Sequence, residues 1–161
     1  MYTNCLNISD FYRHSCSDFT DRYLLSKLGV FVVASAIGVS DRITPMAYMK
    51  KPYNLISKTG TRISVRTSSY SFLADGNEPG GLYYEAVQTK GTDLFVFCTH
   101  KGLNLIDSAL DTSLWDFYIL RSESLNIDKL KTITMSHILE LKAIQCSYDN
   151  LLNQINITMN V

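Results

Sequence analysis

The stretch TRISVRTSSY, residues 61–70, contains the strand on which the predicted fold depends. Apolar Ile63 and Val65 alternate with polar residues, which is the period of a half-buried β-strand. The preceding YNLIS at 53–57 has a similar character, and the Lys-Thr-Gly at 58–60 is a turn sequence. These segments therefore predict a β-hairpin whose second strand lies within residues 61–70.

Two later segments also predict strands. DLFVFCTH, at 93–100, is nearly continuously apolar, which is typical of a central strand covered on both faces. LWDFYILRSESL, at 114–125, is rich in apolar and aromatic residues until polar residues take over. We expect Trp115 and Phe117 to lie in the core around these two strands.

Helices are predicted on either side of the strands. Residues 8–37 have apolar side chains near helical spacing, and Gly38 follows as a C-cap. SHILELKAI and SYDNLLNQINI predict two short helices that begin at the N-capping residues Ser136 and Ser147. The sequence therefore predicts an α/β sandwich, in which a small mixed β-sheet is flanked by helices, with residues 1–161 forming one domain.

Composition limits the functions that fit this chain. Of its 161 residues, 46% are hydrophobic, and 15 basic side chains balance 15 acidic ones. A protein that coats nucleic acid usually carries a basic excess, so nucleic-acid binding would require a local patch. No Cys-x-x-Cys pair occurs, and the apolar run at 29–39 is too short to span a bilayer. We expect a cytoplasmic protein with reduced thiols and no membrane partner.

The hairpin, the two later strands and one helix together carry a resemblance to a known family. The stretches YNLISKTGTRISVRTSSY (53–70), TDLFVFCTH (92–100), LWDFYILRSESLN (114–126) and LGVFVVASAIG (28–38) occur in the order of its core elements. In this respect the chain resembles the bacterial and phage proteins of the PD-(D/E)XK, restriction-endonuclease-like superfamily. The resemblance spans about residues 17–155 and implies a restriction-endonuclease-like sandwich.

Transfer of the family's catalytic positions gives four residues that are not acidic. The strand Asp falls on Asn54, the acidic-x-Lys triplet falls on Ser64 and Arg66, and the helical Glu falls on Val30. Magnesium requires hard oxygen ligands and usually one or two carboxylates. The resemblance therefore implies a pseudo-nuclease with no catalytic residues, no metal and no cofactor.

An alternative hypothesis is that the protein is an active enzyme whose metal-binding carboxylates lie at other positions. Glu85 and Asp93 are the replacement candidates, because Glu85 is expected near the edge of the sheet and Asp93 opens the next strand. With these carboxylates the protein would be a DNA endonuclease that uses Mg²⁺ to polarise the phosphate and generate hydroxide.

The hairpin region also predicts a nucleic-acid interface. Basic and hydroxyl side chains donate hydrogen bonds to phosphate, and tyrosine rings stack on exposed bases. The candidate residues are Lys51, Lys58, Arg62, Arg66, Ser68 and Tyr70. The sequence leaves open whether the partner is DNA, RNA, another protein or a second copy of the chain. A role in phage defence or counter-defence is an expectation that rests on the resemblance alone.

Overall fold

The computed structural model describes residues 22–40, 51–70, 82–102, 108–125 and 129–160. In chain order its helices and strands are α1 (Arg22–Ala36), β1 (Leu55–Ile56), β2 (Arg62–Ser69), β3 (Tyr83–Gln88), β4 (Leu94–His100), β5 (Trp115–Arg121), β6 (Lys129–Thr134), α2 (Met135–Glu140), β7 (Ile144–Cys146) and α3 (Leu151–Met159).

Five of the strands form one mixed sheet in the order β1-β2-β4-β5-β7. The neighbours β2 and β4 are parallel, and the other three pairs are antiparallel. The predicted hairpin is confirmed, since β1 pairs with β2 with Leu55 opposite Ile63. The turn contains Gly60 at a φ of 89°, a left-handed conformation that glycine adopts without strain. The mixed α/β class predicted from the sequence is confirmed.

The two faces of this sheet carry different cores. On one face, α1 and α3 pack against side chains that include Ile63, Val96 and Phe117. On the other face, the two-stranded sheet β3–β6 and helix α2 cover a cluster that includes Phe95 and Phe97. The alternation of side chains along each strand assigns odd-numbered residues of β2 and β5 to the helical face and even-numbered ones to the other.

The placement of the aromatic core residues was predicted correctly. Trp115 is 1% exposed and its indole nitrogen donates to the carbonyl of Ala109 at 3.0 Å. Phe117, two residues further along β5, is fully buried and its ring stacks near that of Trp115. The single tryptophan therefore has both a packed ring and a satisfied N–H group.

Helix α1 approaches β2 closely at one point. A Cβ atom on Gly29 would lie 1.9 Å from Oγ1 of Thr67, so only glycine fits at this crossing. The helix ends as the sequence predicts, because Gly38 has a φ of 68° and Val39 N–H donates to the carbonyl of Ala34 at 2.8 Å. Residues 8–21 of the predicted helix lie outside the described residues.

Several elements differ from the sequence prediction. The sheet β3–β6 and the short strand β7 were not predicted, because their pairing partners lie far away in the sequence. The cap of α2 is Thr134 rather than Ser136, since the Thr134 hydroxyl accepts from the N–H of His137. Ser147 precedes a single 3₁₀ turn, and α3 begins only at Leu151.

Within the described ranges, none of the helices is both long and apolar enough to cross a bilayer.

Candidate functional site

Asn54, at the position of the family's strand carboxylate, has a structural role. Its backbone N–H donates to the carbonyl of Ile63 at 2.9 Å, and its Oδ1 accepts from the N–H of Val65 at 2.7 Å. The side chain thus extends the ladder beside β2 near the end of the two-residue strand β1. The amide oxygen of Asn54 therefore already serves the sheet.

The other family positions do not converge. Ser64 and Arg66 lie on the face of β2 toward the β3–β6 sheet, because their odd-numbered neighbours Ile63 and Val65 face the helices. Val30 belongs to α1 and is buried in the core on the helical face. The five-stranded sheet therefore separates Val30 from Ser64 and Arg66.

These residues do not fit a magnesium ion. They offer one carbonyl oxygen that already accepts a hydrogen bond, one hydroxyl and one cation, and they include no carboxylate. Magnesium holds its ligands in a near-octahedral shell and is usually bound through one or two carboxylates. In addition, the described part of the chain contains no group of three or more His, Cys, Asp or Glu residues placed to hold a metal.

Asp93, one of the two replacement candidates, forms an ion pair with Arg62. Its Oδ2 accepts from the Arg62 Nε at 2.9 Å and from the Arg62 backbone N–H at 2.8 Å, and its Oδ1 lies 2.5 Å from the guanidinium. Hydrogen bonding from Arg62 lowers the pKa of the Asp93 carboxyl. This pair joins the starts of β2 and β4, four residues from Arg66 along β2 and so about 13 Å away.

Glu85, the other candidate, is placed only by its backbone. It occupies β3 and is paired with Thr132 of β6. Its side chain lies outside the described part of the structure.

Three of the six predicted nucleic-acid-binding residues lie beside other groups of the chain. The ammonium group of Lys51 lies 5.6 Å from the centre of the Tyr53 ring. Lys58 reaches the end of α1, since its Nζ is 3.2 Å from the point where a Cβ of Gly38 would stand. A cation at this helix end stabilises the helix dipole. Arg62 is neutralised by Asp93.

The other three predicted residues lie together. Arg66 and Ser68 lie two residues apart near the end of β2, so they share the face toward β3–β6, and Tyr70 directly follows the last strand residue, Ser69. Ser68 is 0% exposed, and its hydroxyl has no hydrogen-bond partner among the described residues. Tyr70 is 40% exposed, and its N–H donates to the carbonyl of His100 at 3.0 Å.

Arg66 is the chemically unusual member of this group. Its NH1 donates to the carbonyl of Val65 at 3.2 Å, whereas its buried Nε has no partner in the described part of the chain. Burial lowers the pKa of Arg66 to about 10. The described residues supply no acidic partner for this guanidinium, whereas Arg62 and Lys101 are each paired with a carboxylate. Arg66 is thus a half-buried cation with no counter-charge among the described residues, a costly arrangement for a folded protein.

Residues from neighbouring strands complete the surroundings of this group. In the sheet register Ser68 lies opposite Thr99, and Thr99 lies opposite Asp116. The hydroxyl of Tyr84, on β3, is 2.5 Å from that of Thr99. Asp116 is bridged to Lys101 at 3.1 Å. Sequence reasoning missed these residues because only the strand pairing brings them beside Ser68.

We call Arg66, Ser68 and Tyr70, with the hydroxyl of Ser64, the β2 crevice. It presents one guanidinium, two buried hydroxyl groups without partners in the described residues, and one exposed ring. Such donors suit an oxyanion, since guanidinium and hydroxyl groups are the common ligands of phosphate and carboxylate.

Comparison with known proteins identifies no relative. A scan with protein-family models finds no match to this sequence, and a search of curated proteins finds no significant similarity. The likeness to the PD-(D/E)XK superfamily therefore stays a prediction.

Proposed function

We propose that this chain is a restriction-endonuclease-like protein that does not cleave nucleic acid but binds it through phosphate at the β2 crevice. The observation that carries the proposal is the half-buried guanidinium of Arg66, which has no acidic partner among the described residues. A bound phosphate would supply the missing negative charge. It would also accept the hydrogen bonds that Arg66 and Ser68 leave unused.

The neighbouring ring of Tyr70 favours nucleic acid over other anions as the ligand. Tyr70 is exposed and lies one pleat beyond Ser68, about 7 Å along the strand direction. A ring at that distance from a phosphate donor is placed to stack on the base or sugar that the phosphate carries. Binding should therefore be sensitive to salt and tolerant of sequence, because it rests on phosphate and stacking contacts.

Absence of catalysis is the first part of the proposal to test. The protein is incubated with single- and double-stranded DNA and RNA in Mg²⁺ or Mn²⁺, and the products are separated on denaturing gels. We expect no cleavage, because Asn54, Ser64, Arg66 and Val30 provide no free carboxylate for a metal. Cleavage that a chelator abolishes, and that Glu85→Gln removes, would instead establish the endonuclease with relocated ligands.

Binding is the second part, and Arg62 provides a matched control. Fluorescence anisotropy of labelled oligonucleotides measures the affinity of the wild type, Arg66→Met and Arg62→Met. Loss of Arg66 should weaken binding by about tenfold or more, as for other hydrogen bonds to charged groups. Loss of Arg62 should change it little, because Asp93 already neutralises this cation. Equal losses of affinity in the two variants, or no loss in Arg66→Met, would contradict binding at the β2 crevice.

A protein partner or a homo-oligomer is the second candidate function. Phe31 of α1 is 47% exposed and Ile157 of α3 is 57% exposed, and both helices cover the same face of the sheet. Exposed apolar side chains of this size are typical of interaction surfaces when they form a contiguous patch. Sedimentation of the wild type and Phe31→Glu tests this: self-association abolished by the substitution supports a dimer through α1, and a concentration-independent monomer contradicts it.

Two further expectations belong with the proposal. The unpaired thiols of Cys98 and Cys146 are consistent with a cytoplasmic protein. A role in phage defence or counter-defence remains an expectation based on the resemblance.

A further inference from the structure

We infer that the β2 crevice recognises the end of a nucleic-acid strand, as a phosphate monoester attached to a nucleoside, rather than the phosphodiester backbone along a strand. This inference rests on the proposed function and narrows it to one ligand chemistry. Four features of the crevice carry it: its charge, its shape, its donors and its length.

The charge of the crevice matches one phosphate. Arg66 is the only half-buried cation without an acidic partner on this face of β2, as far as the described residues show. The cations near the two ends of the strand, Arg62 and Lys101, are neutralised by Asp93 and Asp116. A surface that follows a backbone usually presents several free cations in a row, because each neutralised phosphate adds to affinity. Here a second phosphate would meet a neutral pair in either direction.

The shape of the crevice isolates Arg66 between two covered residues. Ser64 and Ser68, two positions to either side of Arg66, are both 0% exposed. A backbone that ran along β2 would find no exposed donor beside Arg66 in either direction, whereas a single terminal phosphate has to reach Arg66 alone. A strand terminus fits this arrangement better than an uninterrupted strand does.

The donors match the oxygens of a phosphate monoester. The guanidinium of Arg66 can contact two oxygens through its planar fork, and the hydroxyl of Ser68 can donate to a third. A monoester has three such oxygens, and a diester within a chain has two. Ser68 is fully covered in the structure, so its hydroxyl reaches the ligand only after a neighbour moves. Arg66 is suited to move, since its one hydrogen bond in the described residues goes to the carbonyl of Val65.

The length of the crevice fits one nucleoside. Arg66 and Tyr70 are four residues apart on one face, which places their backbones about 13 Å apart. Tyr70 is exposed, so its ring can stack on the nucleoside next to a phosphate held by Arg66. No further exposed aromatic side chain is required.

The experiment compares the affinities of oligonucleotides that differ only in their terminal groups. Anisotropy is measured with the full-length protein and one short single-stranded oligonucleotide prepared with a 5′-phosphate, a 3′-phosphate or hydroxyl groups at both ends. We expect one phosphorylated form to bind about tenfold or more tightly than the hydroxyl-ended form. The dependence of log K on log salt should have a slope near about −0.7, the value for a single phosphate of a single strand.

Variants test whether the preference for a phosphorylated end depends on the crevice. Arg66→Met should remove the preference for a phosphorylated end, and Arg66→Lys should weaken it, because lysine keeps the charge but lacks the planar fork. Ser68→Ala should reduce the preference by less than Arg66→Met does. Lys27→Gln, which removes an exposed cation of α1 on the opposite side of the sheet, should leave it unchanged. Circular dichroism of each variant confirms that the fold is retained, and the Arg66→Lys result still decides the matter if Arg66→Met does not fold.

The outcomes separate this inference from the function on which it rests. Equal, Arg66-dependent affinity for phosphorylated and hydroxyl-ended strands would overturn the end recognition and leave nucleic-acid binding in place. No binding to any nucleic acid would overturn both. Nucleoside monophosphates that bind as tightly as the oligonucleotide would assign the same chemistry to a free nucleotide. A salt slope that corresponds to several phosphates would contradict the inference even if binding is strong.

Discussion

Replacement of Arg66 by methionine should make the protein more stable, although it removes a side chain from a well-ordered strand. Methionine retains most of the length of the arginine stem and fills irregular apolar space. It removes a guanidinium that is half-buried and has no acidic partner among the described residues. A functional residue that costs stability is a common feature of binding sites, because its charge is matched only when ligand is present.

The magnitude follows from the electrostatics of this site. Burial lowers the pKa of Arg66 from its ordinary value to about 10. At about 1.4 kcal/mol per pH unit, this lowering corresponds to a cost of roughly 3 kcal/mol for keeping the charge in the folded state. The substitution also loses the hydrogen bond to the Val65 carbonyl, worth about 1.5 kcal/mol at the lower end of the range for a charged donor. The difference predicts a gain in the free energy of unfolding of about 1–2 kcal/mol.

Urea denaturation, followed by fluorescence of the single Trp115, measures this gain. With an m value of about 2 kcal/mol/M, the midpoint should rise by roughly 0.5–1 M without a change in m. Arg62→Met is the matched control and should lose up to about 1 kcal/mol, because it breaks an exposed ion pair with Asp93. An Arg66→Met protein less stable than wild type would refute the reasoning, since Arg66 would then contribute to the fold.

Two further predictions concern packing and pH. Gly29→Ala should destabilise the protein by about 2 kcal/mol, because a contact of 1.9 Å with Thr67 puts the strain near the upper end of about 1–3 kcal/mol, whereas helix propensity gains only about 1 kcal/mol. Denaturation beside the helix control Ser26→Ala checks this, and an unchanged midpoint would contradict the close approach. His100 is buried, with Nε2 3.2 Å from the carbonyl of Ser108, and burial lowers its pKa below the ordinary 6.5. Its contribution to stability is therefore complete above pH 6.5 and is lost as pH falls below that value, at up to about 1.4 kcal/mol per pH unit. His100→Gln should remove this part of the pH dependence measured between pH 7.5 and 5, and a variant with the same slope as wild type would exclude His100 as its source.

The local parts of the fold could be predicted because their causes are local. The turn at 58–60 sits between two alternating runs, so the β1–β2 hairpin could be predicted without knowledge of distant residues. The C-cap at Gly38 follows from the steric freedom of glycine. The burial of β4 follows from its continuous apolar sequence, and all seven residues of that strand are buried.

The pairing of strands distant in sequence could not be predicted in the same way. Whether β2 lies beside β4, and in which direction, depends on the packing of both strands against α1 and the second layer. The β3–β6 sheet depends on residues more than forty positions apart, such as Glu85 and Thr132. Neither segment carries a local signal for its partner, because sheet pairing is decided by burial and cross-strand contacts.

By itself, the sequence determined the hairpin, the apolar strands and the absence of carboxylates at the four family positions. The tertiary structure alone decided which of two similar arginines is a candidate for function. Arg62 and Arg66 lie on the same face of β2, yet Arg62 meets Asp93, 31 residues away, and is neutralised. Arg66 is covered by the second layer and meets no carboxylate among the described residues. The reason is physical: the state of a charge depends on solvent and on neighbours that only the folded chain brings near it.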